Sequence, residues 1–280
     1  MSEHPGFRRM QAGGTVVAVA PSYQAELRSL KLHEPGGLQK LLTSRSASRQ
    51  SGGRAGSWQI ELPKSGRRIH LRPIAHGGLL RRLTGRRLLG LGRPLAELEV
   101  TAQLLARGVA VPEPVGIVAR RRGLFWEASL ATGFEVGSAS GGAFLGSGTR
   151  RSRVIEASRA AGRAIRGFHD AGARHPDLHV DNLLVLEADD SQSPRVVVID
   201  LDGVRIVRKV VARRRMAELM RLYRSLRKRR LLGAGSARVC AAFFGAYCAG
   251  DRALRSALLA NARREQLRIA AHALAYRRDH

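Results

Sequence analysis

A chain of 280 residues, 44% of them hydrophobic, can bury one large or two small cores, and none of its apolar runs approaches the roughly 18 to 20 residues that cross a bilayer, so neither a transmembrane helix nor secretion is expected. Cys240 and Cys248 are the only cysteines, so a disulfide framework is not indicated and two buried thiols in a reducing cytoplasm are expected. The 49 Lys and Arg against 22 Asp and Glu give a formal charge of +27 and imply a polyanionic partner: nucleic acid, an anionic membrane surface or a phosphorylated glycolipid.

Along the chain, the first fifty residues combine helical apolar spacing (Leu27, Leu30, Leu38, Leu41, Leu42) with a Ser-rich stretch, 43–53, that reads as a loop. Alternating residues at 58–62 and 68–72 flank a Lys-Ser-Gly turn and predict a hairpin. Leu95, Leu98, Ala102, Leu105 and Ala106 share one helix face, and Gly108 supplies the stop. Strands are expected at 115–118 and 124–130. The Gly- and Ser-rich segment 133–148 reads as a hinge, with a strand-rich half before it and a helical half after it. A helix over 154–169 comes next. Two short strands, 183–186 and 195–200, then flank a polar turn, and beyond Arg208 the pattern is helical. The composition thus divides the chain into 1–132 and 133–280.

The chemistry concentrates in the second part. The segment HPDLHVDNLL, 175–184, carries His175, Asp177, Leu178 and Asn182 at the spacing H-x-D-L-x-x-x-N of a phosphoryl-transfer catalytic loop. Such a loop needs a carboxylate, here Asp177, beside the acceptor hydroxyl to orient it and take its proton. It also needs an amide oxygen five residues on, here Asn182, turned toward a magnesium ion. Asp200, in VIDLD at the end of a strand, supplies a second oxygen for that metal, and the 23 residues from Asp177 to Asp200 suit a loop, a hairpin and a return strand. His169 and His175 are expected to brace the loop rather than to ligate metal. Asp181 and Asp202 stay ambiguous between metal contact, solvation and pairing with Arg.

Several further segments carry a family resemblance. These are GRAGSW at 53–58, RPIAHGGL at 72–79, VPEP at 111–114 and, the most discriminating, RLYRSLRK at 221–228. With the 175–202 motifs, the chain resembles the lipopolysaccharide kinase family from about residue 53 to 228. The resemblance implies an α+β, protein-kinase-like two-lobe fold with a small strand-rich N-lobe and a larger helical C-lobe. It also implies ATP and Mg²⁺ as cofactors and a sugar hydroxyl of a lipopolysaccharide precursor, of the Kdo-lipid A type, as acceptor. The nucleotide would then be held by Gly53, Gly56 and Arg72, the last standing where protein kinases carry a strand Lys, with Glu97 as its helix partner and Glu99 as competitor. No A-P-E segment follows Asp200, and Leu201 replaces the usual Phe. A kinase of another small-molecule or protein acceptor, or a kinase-fold binding module, would carry many of the same features.

The charge has matching expectations. A helix over 213–230 sets Met216, Leu219, Tyr223 and Leu226 along one side, and Arg227, Lys228, Arg229 and Arg230 would form a basic rim toward the cytoplasmic face of the inner membrane. Arg81, Arg82, Arg86 and Arg87 are a second such cluster. With 5% aromatic residues and no stacking motif, nucleic acid is not an expected partner.

Overall fold

The computed structural model describes residues 6–50, 56–74, 87–187, 193–233 and 235–262. The chain divides into two compact units, the first comprising Met1–Gln103 with Pro112–Phe134 and the second Leu104–Val111 with Glu135–His280.

In the first unit, strands β1 (Arg8–Ala12), β2 (Thr15–Val19), β3 (Ala47–Gln50), β4 (Ser57–Glu61), β5 (Arg68–Pro73), β6 (Pro114–Arg122) and β7 (Phe125–Gly133) form one seven-stranded sheet. Its order is β1-β2-β6-β7-β5-β4-β3, and each neighbouring pair is antiparallel. Successive side chains on a strand point to opposite faces, and both faces of this sheet are covered. Val17, Val19, Val115, Val118, Ile60 and Leu71 pack with Tyr23 and Leu27 around α1 (Gln24–Ser29) and with Leu41 of α2 (Gly37–Leu42). Val16, Ala18, Ile117, Ala128 and Leu130 pack with Leu98 of α3 (Gly92–Ala106). This double burial explains why β2 is apolar at successive positions instead of alternating. Gly116 allows β6 to approach β2, since a Cβ there would lie 2.3 Å from the Ala18 carbonyl oxygen.

The sequence reading differs from this unit in two places. The β1–β2 hairpin was not anticipated, because a strand buried on both faces lacks the period-2 signature. The 43–53 stretch read as a loop contains β3, whose polar residues ASRQ sit at the edge of the sheet, where little apolar pattern is required. The hairpin at 58–72 and the helix around 95–106 are found as expected.

The second unit has a three-stranded sheet, β11-β10-β8, made of β8 (Ser138–Ser140), β10 (Leu183–Leu186) and β11 (Arg195–Val198). A short ribbon pairs β9 (Ala173–Arg174) with β12 (Arg205–Ile206). Around them lie α4 (Gly141–Gly146), α5 (Arg151–Asp170), α6 (Ala212–Lys228) and α7 (Ser236–Cys248), followed by helix over 252–262. The 133–148 segment read as a hinge therefore carries β8 and α4. Ser140 caps α4 by accepting a hydrogen bond from the Ala143 N–H, and Gly141 and Gly142 are buried. Their role is close packing: a Cβ on Gly142 would lie 2.4 Å from Asp181 Oδ1, and one on Gly141 2.6 Å from the Val180 carbonyl oxygen.

Helices α5 and α7 meet through small residues. A Cβ on Gly162 would lie 2.4 Å from the Phe243 carbonyl oxygen, so only glycine permits this approach. On α6 the buried side chains are Arg215, Met216, Glu218, Leu219 and Leu222. Tyr223, expected on the apolar side, is 37% exposed, and Leu222 occupies the buried row instead. Both cysteines are free, but only Cys248 is buried and Cys240 is half-buried.

Candidate active site

The loop 175–182 is fixed by hydrogen bonds from its own buried side chains to main-chain groups. His175 is buried, and its ring bridges two segments: Nδ1 accepts from the Asp177 N–H at 3.2 Å, which leaves Nε2–H to donate to the Ile199 carbonyl oxygen at 3.3 Å. Burial lowers the His175 pKa below its ordinary value, and this arrangement needs the neutral ring. The Asn182 side-chain amide donates to the Asp177 carbonyl oxygen at 2.9 Å, and the Asn182 carbonyl accepts from the Ile199 N–H at 2.9 Å. The residues ending β11 are thereby tied to the loop, and Asp200 follows directly. The sequence-predicted trio of Asp177, Asn182 and Asp200 is brought together by hydrogen bonds that use main-chain atoms of all but the last.

The three side chains differ in exposure. Asp177 is 74% exposed, with His179 Nε2 at 3.8 Å from its Oδ2. Asn182 is buried, and its amide nitrogen is committed to the loop, so Oδ1 is the oxygen available for coordination. Asp200 is exposed and adopts a left-handed backbone, φ +58°, unusual outside glycine and tolerated by Asp better than by most residues. An amide oxygen and a carboxylate are the hard donors magnesium accepts, and magnesium completes its shell with water and phosphate oxygens. The residues present therefore fit the ion. Among the described residues no group of three or more His, Cys, Asp or Glu could hold a metal by itself.

A second row of residues, not foreseen from sequence, lies on one face of α6 and holds the loop from behind. Glu218 Oε2 accepts from the His175 N–H at 2.9 Å and from His169 Nε2 at 3.2 Å. The other His169 nitrogen, Nδ1, accepts from the Tyr247 hydroxyl at 2.6 Å. Burial pushes the Tyr247 phenol up to about 12 and His169 below its ordinary value, although Glu218 opposes the latter shift. Ser225 Oγ accepts from the Val180 N–H at 3.0 Å, and Arg229 grips Asp181 with both Nη atoms, Nη1 at 2.8 Å from Oδ1. Asp181 is thus an ion-pair residue, which resolves its ambiguity. The spacing 218, 225, 229 was readable as a single helix face, but in an Arg-rich segment it is masked by the amphipathic pattern.

In the first unit, Arg72 on β5 forms an ion pair with Glu97 on α3, with 27% exposure for the Arg side chain and 4% for the Glu. Glu97, not Glu99, is therefore its partner. Thr101 Oγ donates to the Glu97 carbonyl oxygen at 2.7 Å, stiffening that turn of α3. Gly56 opens β4 at φ +67°, a conformation suited to glycine, whereas Gly53 and the Arg81, Arg82 and Arg86 cluster lie outside the described residues.

Residues 41–243 match the Lipopolysaccharide kinase (Kdo/WaaP) family. The chain belongs to that family. It is accordingly a phosphotransferase, of α+β kinase-like fold. The chain is similar to the 3-deoxy-D-manno-octulosonic acid kinase of Xanthomonas oryzae pv. oryzae (strain PXO99A), at 34% identity over 185 residues, 64% of this chain and 69% of that protein. The enzyme of the same name from Vibrio vulnificus (strain YJ016) is 30% identical over 154 residues, 54% of this chain and 61% of that one. Among solved structures, WaaP in complex with acyl carrier protein superposes with a TM-score of 0.50 at 16% identity, covering 92% of this chain and 98% of that chain. At this identity the likeness speaks to the fold.

Proposed function

We propose that the chain transfers the γ-phosphoryl group of ATP to a hydroxyl of the Kdo or inner-core sugar of a lipopolysaccharide precursor. The observation that carries this reading is the loop in which His175, Asp177 and Asn182 are locked to Ile199, presenting Asp177 to solvent and Asp200 beside it. Asp177 accepts the proton of the acceptor hydroxyl as its oxygen bonds to the γ-phosphorus and the bond to the β–γ bridging oxygen breaks, releasing ADP. Asn182 Oδ1 and the Asp200 carboxylate would hold Mg²⁺, which neutralises charge on the phosphates when bound. Arg72, oriented by Glu97, supplies the cationic contact to phosphate that a strand Lys makes in protein kinases, and Gly56, at the start of β4, is a further nucleotide-binding candidate.

The acceptor assignment draws on family membership and on relatives named 3-deoxy-D-manno-octulosonic acid kinases. Work at the cytoplasmic face of the inner membrane, as a peripheral protein, fits the +27 charge and the exposed Arg227, Lys228 and Arg230 at the end of α6. No described helix is long and apolar enough to cross a membrane. Incubation with Kdo-lipid A precursor, ATP and Mg²⁺, followed by mass spectrometry, tests the reading. The expected product is the precursor heavier by one phosphate on a sugar hydroxyl. ATP turnover with an unmodified lipid would redirect the search to another acceptor, and failure to bind ATP with magnesium would leave a binding module.

A further inference from the structure

The ribbon β9–β12 joins the two halves of the reaction site: β9 runs straight into His175, and β12 follows Asp200 by five residues. In its register Arg174 lies directly opposite Arg205. Directly opposed residues of an antiparallel pair project from the same face with Cβ atoms about 5 Å apart, and like charges there are destabilising. Ala173 and Ile206 take the other face, so the two guanidinium groups share theirs.

Neither arginine has an acidic partner among the described residues. Three carboxylates of the same unit are engaged elsewhere: Asp177 has His179 at 3.8 Å, Asp181 is gripped by Arg229, and Asp170 receives Arg166 Nε and Arg215 Nη1. Arg174 also has its Nε buried without a hydrogen-bond partner. A buried donor left unsatisfied beside an opposed like charge combines two unfavourable features, and an oxyanion between the arginines would relieve both. Arg174 precedes Asp177 by three residues, so their Cα atoms lie within about 11 Å of one another.

We propose that Arg174 and Arg205 form an oxyanion subsite that binds a carboxylate or phosphate carried by the acceptor and so sets its reactive hydroxyl beside Asp177. The inference rests on the phosphotransferase reading above and names the acceptor class as an anionic sugar alcohol. An octulosonic acid offers a carboxylate, and a phosphorylated glycolipid offers phosphates; a planar guanidinium fork suits either.

Steady-state kinetics with Kdo-lipid A precursor distinguish these cases. In Arg205→Gln, whose parent side chain is exposed, the acceptor KM should rise about tenfold or more while the ATP KM holds, and Arg205→Lys should recover part of the loss. Arg174→Gln should behave like Arg205→Gln. Repeating the comparison with an acceptor whose Kdo carboxylate is amidated, and with one whose lipid A phosphates are removed, identifies the oxyanion, because the difference between wild type and variant collapses on the acceptor lacking it. An unchanged acceptor KM in Arg205→Gln, or a shift that persists equally on both altered acceptors, overturns the subsite. Should the wild type not use the lipid acceptor, calorimetric titration with free Kdo and with inorganic phosphate decides the matter separately. Binding lost in Arg205→Gln keeps the subsite while the acceptor assignment falls, and absent or Arg205-independent binding removes the subsite.

Discussion

Asp200, proposed as a magnesium ligand, is held in a backbone conformation that costs the fold. Its left-handed backbone, φ +58°, follows a β-strand, where a non-glycine residue in this region stores about 1 to 3 kcal/mol. Asp200→Asn is a cleaner test than an alanine, which tolerates this conformation less well. With Asp200→Asn and Asn182→Ala, a magnesium titration of activity should move to higher metal concentration in both variants, since the first removes the negative charge assigned to the ion and the second the amide oxygen. Unchanged titrations in both would dissolve the metal site. Asp177→Asn keeps shape and loop backbone but cannot take a proton, so turnover should fall by about 10² to 10⁴ while ATP affinity, read by calorimetry, stays near wild type. Asp177, Asn182 and Asp200 were legible as candidates in the sequence because phosphoryl transfer fixes both residue types and spacing. The opposed Arg174 and Arg205 were not, since nothing in a sequence states strand register.

At the scale of elements, α6 and its C-cap Arg229 hold the 175–182 loop in place through side-chain contacts. Glu218, Ser225 and Arg229 contact loop residues 175, 180 and 181 in turn, so the helix reads the loop along its length. The segment 221–228 carried the family resemblance at sequence level, and its contacts give a physical reason for part of it: Ser225 satisfies a loop N–H, and Leu222 packs beneath. Glu218→Ala would leave the His175 N–H and His169 Nε2 without their acceptor, costing about 3 kcal/mol, with kcat falling more than the ATP KM rises. Glu218→Gln retains one acceptor and should lose less. Urea denaturation and kinetics on the two variants check this, and equal stability of Glu218→Ala and wild type would deny the helix its buttressing role. Arg229 is half-exposed, so Arg229→Ala should cost well under that amount. Elements with clear periodicity were legible, such as the β4–β5 hairpin and α3. The β1–β2 hairpin, β3 and α4 were not, because each is defined by what packs on it: two covered sheet faces, an edge position and glycines pressed against Asp181 and Val180.

For the molecule as a whole, two quantities are set collectively, acid stability and surface charge. His169 is buried among Glu218, Tyr247, Arg215 and Asp170, and burial holds its folded pKa below the ordinary value near 6.5. In the unfolded chain it binds a proton below about 6.5, so its contribution is complete above that pH and is lost as pH falls toward the folded pKa, at up to about 1.4 kcal/mol per unit. Denaturation midpoints should therefore drop between pH 7.5 and 5.5. His169→Gln, which cannot titrate, should be less stable at pH 7.5 and flatter across the range, and an unchanged slope would shift the effect to other groups.

The surface charge makes the proposed membrane partner testable. Electrostatics alone rewards any dense array of phosphates, so partner choice must come from placement, and the exposed Arg227, Lys228 and Arg230 form a cluster at the end of the helix that buttresses the loop. Arg229 must be left out of the test because its guanidinium holds Asp181. Neutralising the other three should weaken binding to anionic vesicles by about 3 kcal/mol at physiological salt, roughly a hundredfold, and should raise the KM for the lipid-linked acceptor in parallel. Binding of both proteins should weaken further as salt screens the surface charges. Flotation or sedimentation with phosphatidylglycerol vesicles, with a nucleic-acid competitor matched in phosphate concentration, separates the partners. If the competitor strips the wild-type protein from vesicles while the triple variant still phosphorylates its lipid acceptor at the wild-type KM, the cluster does not serve the membrane.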